Sequence, residues 1–293
     1  MVNPVHIVSI ALITAFLLGM TGKRHQNALV YILLIALTGM LAISASWLTG
    51  ILSGSLKPVE VYTAGFKPPF AINLRMNLPE ASLTTMINLL GLMTVIYLFD
   101  ILKKSGKYIL SILIVFLLGL NVMVMTRDLF NLFVFLEVTS IATAGLVILV
   151  QNRRSIAAGF KFLIASSVIS GFLLLGIIFA YAYTATLNID FMTHLVSIKG
   201  GAVAVFFVII ALLLESKPFP ANGWALDMYE TAHPAVGGVL SAASLPATLF
   251  VIYKLMPVVP ESWHPVIGVF GIITFAASNF LATRQENVRR MLG

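Results

Sequence analysis

The sequence predicts an all-α fold, a polytopic transmembrane helix bundle of about nine spans. Composition is the first reason. Of 293 residues, 59% are hydrophobic and only 10% charged, and mean hydropathy is +1.01. A soluble domain carries roughly a quarter charged residues and under half apolar ones. A water-exposed fold of this size needs a polar skin that these residues cannot supply. The second reason is periodic length. Apolar runs long enough to cross a bilayer, about 20 residues each, occur near 4–21, 26–51, 80–102, 107–126, 129–150, 156–186, 199–217, 234–255 and 264–284. The third is loop charge. Lys23, Arg24, Lys103, Lys104, Lys107, Arg153, Arg154, Arg284, Arg289 and Arg290 fall on one side of that count, and Lys57, Lys67, Arg75, Arg127, Lys199 and Lys254 near the other. The richer side is expected to be cytoplasmic.

These numbers exclude a water-soluble enzyme, a disordered chain and a secreted disulfide scaffold. There is no cysteine, so a thiolate metal site or thiol-held cluster is excluded on this chain. The net charge of +7 is topological, and no nucleic-acid partner is expected. The run Val5 to Met20 has no basic region before it, so it reads as a first span and not as a cleaved signal. With nine spans the termini lie on opposite sides: N-terminus outside, C-terminus cytoplasmic, in the cell (plasma) inner membrane.

Along the chain, residues 1–106 read as N-terminal transmembrane helices with one long outer segment at about 52–79. Val59 to Tyr62 and Phe70 to Leu74 are β-prone runs around a Gly/Pro turn, which predicts a hairpin on the membrane surface. Residues 107–255 come next as one helical unit. Within it the seventh span is abnormal: Gly200 to Leu214 is about 22 Å of helix, short of a core about 30 Å thick. Pro218 and Pro220 then forbid a regular helix. A short helix is expected to resume near Trp224 and to end before Pro234. Broken helices at membrane depth face protein or a water-filled cavity and recur at ion sites. Residues 256–293 hold the ninth span and a short basic stretch after it.

Charged residues within apolar runs are costly, so each points to a use. Glu137 lies within about 4 Å of the middle of the fifth span, where a carboxylate costs roughly 2.5–3.5 kcal/mol. It reads as a protonatable relay that a nearby cation can tune, or else as a neutral group bonding one neighbouring helix. Lys161, one turn into the sixth span, is either a snorkelling cation or part of a proton path. Glu215 and Lys217 flank the break and read as a charged centre in the cavity it opens. His233, beside Pro234, suits either an interfacial role or proton transfer. Lys254 is expected to snorkel outward at a helix C-terminus, and Asp227 and Glu230 to be solvated. No Walker loop, dinucleotide fingerprint, metal-binding spacing or nucleophile elbow is present. No cofactor, metal or catalytic residue is therefore expected, and no redox chemistry is assigned to this chain.

Longer stretches carry a resemblance. Arg127-Asp-Leu-Phe-Asn-Leu-Phe-Val-Phe-Leu-Glu137-Val resembles the fifth-helix motif of the antiporter-like subunit family. That family includes the large proton-pumping subunits of complex I, the D subunit of multi-subunit (Mrp-like) cation/proton antiporters, and relatives in membrane-bound hydrogenases. Gly159 to Ser167 resembles its sixth helix. Pro220 with Trp224, Asp227 to Tyr229, and Phe280 to Leu292 match later signatures, and Gly65-Phe-Lys-Pro-Pro-Phe resembles its outer hairpin. The resemblance implies two inverted five-helix repeats. The first corresponds to 107–255, with 256–293 opening an incomplete second, so a shortened or split member is expected, or one that another chain completes.

It also implies a coupled Glu on helix five and Lys on helix seven. Glu137 fits the first. The lysine's place holds Glu215, with Lys217 two residues on. Either the break is re-registered and Lys217 serves, or the lysine is replaced by an acid. The family's His is Asn222 here, and its helix-eight Lys is Leu245. The implied function is a membrane subunit of a redox-driven or cation/proton antiporter complex. It would move H+ or Na+ through Glu137, Lys161, Glu215, Lys217 and His233. Its partners would be other membrane subunits, including one that supplies the second repeat, and lipid. The competing reading is a degenerate coupling subunit that joins modules without conducting.

Overall fold

A computed structural model describes every residue except 1, 22–25, 64, 67, 69–70, 105–106 and 293. Lys23, Arg24, Lys67 and part of the Gly65–Phe70 motif therefore lie outside the described residues. The helices are α1 (Val5–Met20), α2 (Gln26–Leu52), α3 (Leu78–Tyr97), α4 (Phe99–Lys104), α5 (Lys107–Met125), α6 (Leu129–Val147), α7 (Arg153–Thr184), α8 (Gly201–Glu215), α9 (Gly223–Thr231), α10 (Pro234–Val239), α11 (Leu245–Leu255), α12 (His264–Ala282) and α13 (Val288–Leu292). Among the described residues, seven helical segments are long and apolar enough to cross a membrane, and α1 and α8 are shorter apolar helices. Together they account for the nine apolar runs.

Strands β1 (Val59–Tyr62) and β2 (Asn73–Met76) form an antiparallel hairpin with Glu60 opposite Arg75. The first strand is where the β-prone run predicts it. The second lies a few residues later than Phe70 to Leu74. Its position is fixed by packing: Leu74 and Met76 are buried, and Leu74 bridges Thr126 at the end of α5. The hairpin is thus seated on the bundle and marks one end of it, the hairpin face.

Local chemistry sets the helix boundaries. Asn77 and Glu80 form a capping box at α3, which satisfies two N–H groups that the first turn leaves free. Asp128 accepts from Asn131 N–H at 2.8 Å and starts α6. Asn152 does the same for α7 through Ser155, at 2.7 Å. In the eighth span Pro246 cannot donate to the carbonyl one turn back, and Leu240–Ser244 winds as a π-turn between α10 and α11. Such turns are frequent at functional positions.

Among the spans α5 is the most enclosed, and α12 buries none of its residues. Gly119 lets α5 approach α6, because a Cβ there would strike the Thr139 hydroxyl. Gly176 likewise lets α7 cross α8 against Val208 and Ala204. Small residues at such crossings are what membrane helices use to pack closely.

Candidate ion-translocation site

The break in the seventh span organises the site. Helix α8 ends at Glu215. Ser216 is its C-cap, and Lys217 adopts a left-handed backbone with φ of 59°, a strained choice for a residue with a Cβ. The peptide between Phe219 and Pro220 is cis. The chain is helical again from Gly223. The break and the short helix after it lie where the proline pair predicts.

A small pocket opens beside the break. Met123 of α5, Leu136, Thr139, Ser140 and Thr143 of α6, and Phe162 of α7 line it, together with Glu215, Lys217, Met228, Leu240, Ser244 and Thr248. It has room for about one water molecule. Five hydroxyl side chains therefore face two charged ones in a mostly apolar bundle. Glu215 is 6% exposed, and its Oε2 has no protein hydrogen bond. The Lys217 ammonium reaches the Glu215 carbonyl at 3.4 Å and stands 6.0 Å from the centre of the Trp224 ring. The charges of both Lys217 and Glu137 act on the Glu215 carboxylate. Glu137 itself is partly buried. Glu215 and Lys217 thus share the pocket, and the charge of Glu137 on α6 reaches Glu215 from outside its lining. The π-turn contributes Leu240 and Ser244 to the same pocket; Pro246 was its only signal in the sequence.

Lys217 also borders a second space. A cleft of about 200 Å³ runs from it between α9 and the α12–α13 region, past Asn222, Ser278, Asn279, Gln285 and Arg290. Lys217 thus lines both the hydroxyl pocket and this cleft.

Lys161 and His233 lie elsewhere. The Lys161 side chain is exposed and its ammonium binds Asp227 at 2.7 Å. Arg290 of α13 bonds Asp227 at 2.9 Å and Glu230 at 2.8 Å. Asp227 and Glu230 are thus engaged in ion pairs, not simply solvated. The hydrogen bond from Lys161 holds the Asp227 carboxyl below its usual range; burial opposes this and the Arg290 bond adds to it. His233 caps α10, accepting from Ala235 N–H at 3.3 Å, with its ring 6.1 Å from that of Tyr97. Burial and Arg289 push its imidazole below the usual histidine range.

Asp227→Asn should free Lys161 and leave Arg290 with Glu230 alone, while costing only about 1 kcal/mol, since these pairs are near the surface. Limited proteolysis should then cut residues 283–292 about fivefold faster, with the spans unaffected. An unchanged cutting rate would mean that α13 is held by other contacts.

Two features escaped the sequence. One is Lys254, expected to snorkel but 4% exposed and bonded to three carbonyls: Met123 at 2.7 Å, Val124 at 3.0 Å and Thr126 at 2.8 Å. The other is a charged network on the hairpin face. Arg127 donates to Asp190 through Nε at 3.2 Å and through Nη2. Arg75 bridges Asp190 at 3.0 Å and Glu60 at 2.6 Å. No spacing in the sequence joins positions so far apart.

Known proteins share both the sequence pattern and the fold. Residues 126–293 match the family model described as NADH:quinone oxidoreductase/Mrp antiporter, TM. The chain is similar to NADH-quinone oxidoreductase subunit N of Desulforudis audaxviator, 29% identical over 250 residues, 80% of this chain and 50% of the relative. It is 31% identical over 193 residues to subunit N of Rubrobacter xylanophilus, covering 62% of this chain and 40% of that one. The chain thus spans about half the length of the curated relatives it matches. Among solved structures, it superposes on a chain of the membrane-bound sulfane sulfur reductase, an archaeal respiratory membrane complex, with a TM-score of 0.88 and 26% identity. That match covers 99% of this chain and 61% of the other. A chain of the Mrp complex from Dietzia sp. DQ12-45-1b shares the fold, with a TM-score of 0.84 at 22% identity over 96% of this chain and 54% of that one.

Proposed function

We propose, from the premise that the chain belongs to the NADH:quinone oxidoreductase/Mrp antiporter transmembrane family, that it moves H+ (or Na+) as one membrane subunit of a multi-subunit redox-driven or antiporter complex. The observation that carries this reading is the pair of Glu215 and Lys217 in a hydroxyl-lined pocket at a broken helix, with the charge of Glu137 acting on Glu215. Two acids and a cation inside an apolar bundle exchange protons under control of one another's charge, and the hydroxyls and a water can relay them.

In this reading ions enter at the face that carries Arg153, Arg154, Lys161 and His233. The cleft beside Asn222 leads from there to Lys217, and Glu137 and Glu215 hold the transferred proton. Movement of Lys217 toward or away from the acids is the switch a partner subunit would drive. The loop-charge bias supports an inner-membrane placement with that face cytoplasmic, the N-terminus outside and the C-terminus inside. The partners are the other membrane subunits of such a complex, and a chain that supplies a second repeat would extend the path.

A second reading has its own support: a coupling subunit that does not conduct. Glu215 stands where the family has a lysine, Asn222 where it has a histidine and Leu245 where it has another lysine. The test is Lys217→Met in the assembled complex reconstituted into liposomes. The conducting reading expects driven ion uptake to fall by on the order of tenfold or more, with assembly intact. Unchanged uptake with a normally assembled complex would favour the coupling reading.

A further inference from the structure

The C-terminal end of α5 has an unusual arrangement of backbone groups. In a continuing helix, the carbonyls of Met123 and Val124 would accept from the N–H groups of Arg127 and Asp128. Both donors are diverted. Arg127 N–H donates to the Asn73 carbonyl on β2 at 3.0 Å, and Asp128 N–H to the Thr126 hydroxyl at 3.2 Å. Seating the hairpin therefore leaves the Met123 carbonyl without its helical donor, the Thr126 hydroxyl does the same to the Val124 carbonyl, and the Thr126 carbonyl turns toward the same point. Three oxygens at the negative end of a helix dipole converge there. Buried carbonyls must find a donor or a cation.

Lys254 of α11 supplies it. Its ammonium sits between 2.7 and 3.0 Å from all three oxygens, and it takes part in none of the ion pairs among the described residues. A buried cation bonded to carbonyl dipoles, with the charges of Glu80 and Asp190 reaching it but neither carboxylate in an ion pair with it, is treated much as ion-conducting filters treat K+. Ammonium and K+ are close in size. Met123 links this cage to the pocket, because the same residue lines the pocket with Glu215 and Lys217. Thr248, another pocket residue, lies six positions before Lys254 on α11, about 9 Å along the axis.

We infer that the carbonyls of Met123, Val124 and Thr126 form a site for a monovalent cation of the size of K+ at the hairpin end of the pocket, which the chain fills with its own Lys254 ammonium. Lys254 is a tethered occupant: it satisfies the oxygens and keeps a mobile cation from lodging on that side of the pocket. The inference needs only the cage and its occupant, so it stands or falls separately from conduction through Glu137.

Lys254→Met tests it. Methionine reproduces the lysine stem as far as the terminal carbon and leaves the ammonium position open. The complex carrying this variant, solubilised at constant ionic strength, is heated in KCl, NaCl or choline chloride, and the fraction of this chain that stays soluble is measured. The expected result is a midpoint several degrees higher in KCl than in choline for Lys254→Met, with a smaller gain in NaCl. The unaltered chain and Lys254→Arg should melt alike in all three salts. Equal midpoints for Lys254→Met in KCl and choline would overturn the site. Lys254→Gln, whose amide can donate to two of the carbonyls, should show the same order of salts with a smaller spread. Failure of both variants to accumulate even when prepared in KCl would also overturn it, since the ion should stand in for the ammonium.

Discussion

Glu137→Gln is expected to abolish driven ion transport, lowering uptake into liposomes by on the order of a hundredfold, while the complex assembles and melts normally. Glu137 is eight residues into α6, about 12 Å of helix from its start on the hairpin face. It is partly buried and makes no ion pair among the described residues. An acid kept there at a cost of roughly 2.5–3.5 kcal/mol contributes nothing to packing that glutamine would not. Its charge acts on Glu215, whose carboxylate also feels Lys217.

Two neighbouring carboxylates are costly to ionise together. A proton on one therefore eases ionisation of the other, and Lys217 sets which is favoured. Glutamine keeps the shape and the hydrogen-bonding ends but can neither take nor release the proton, so the exchange stops. Glu137→Asp, with the acid on a shorter stem, should restore part of the uptake, which a purely structural role would not predict. Full uptake by Glu137→Gln would sink the conducting reading and leave the coupling one.

Much of this architecture was legible in the sequence because a bilayer leaves few choices. Apolar runs must become helices, so the spans could be read from hydropathy alone. Pro218 and Pro220 forced the break, and the short helix Gly223–Thr231 lies where one was expected, near Trp224 and before Pro234. The acid in the fifth span and the charges at the break announced themselves by their cost. What could not be read was long-range. Lys254 near the end of a span looks like any snorkelling lysine. It is buried among carbonyls whose helical donors are diverted, the Arg127 N–H to a hairpin far away in sequence and the Asp128 N–H to the Thr126 hydroxyl. Lys161 has the same sequence context whether it faces a pocket or, as here, Asp227 at the surface. Arg127, Arg75 and Asp190 carry no local pattern. Their meeting depends on the strand-like segment 126–128 lying between the hairpin and residues 186–190, with bridges Leu74–Thr126 and Asp128–Asn188 on its two sides.

That segment is the basis of the other large effect. Asp190→Asn should destabilise the chain by about 3 kcal/mol and loosen the hairpin face. The Arg127 side chain is 8% exposed and Asp190 is its ion-pair partner. Removing one member of a buried pair leaves an uncompensated charge, which typically costs about 3–5 kcal/mol. Asp190 is 35% exposed and water screens part of the loss, so the low end of that range applies. Arg75 keeps Glu60 at 2.6 Å and loses only its second partner.

The same pair gives a pH dependence with a definite sign. Burial pushes the Asp190 carboxyl upward, but the hydrogen bond and charge of Arg127 and the charge of Arg75 outweigh it and leave the group below its ordinary value. A depressed carboxylate stabilises the fold at pH above its unfolded value, about 4, and that contribution is lost as pH falls through the lower, folded value. The unaltered chain should therefore lose stability on acidification below about pH 4, and Asp190→Asn should have lost that part of the acid response. Hydrogen exchange of the 73–76, 126–129 and 186–190 amides reads both effects. Faster exchange there at neutral pH in Asp190→Asn, with α7 and α8 still protected, is the expected pattern. Equal protection in the two proteins would mean that the backbone bridges, and not the ion pair, hold the hairpin to the bundle.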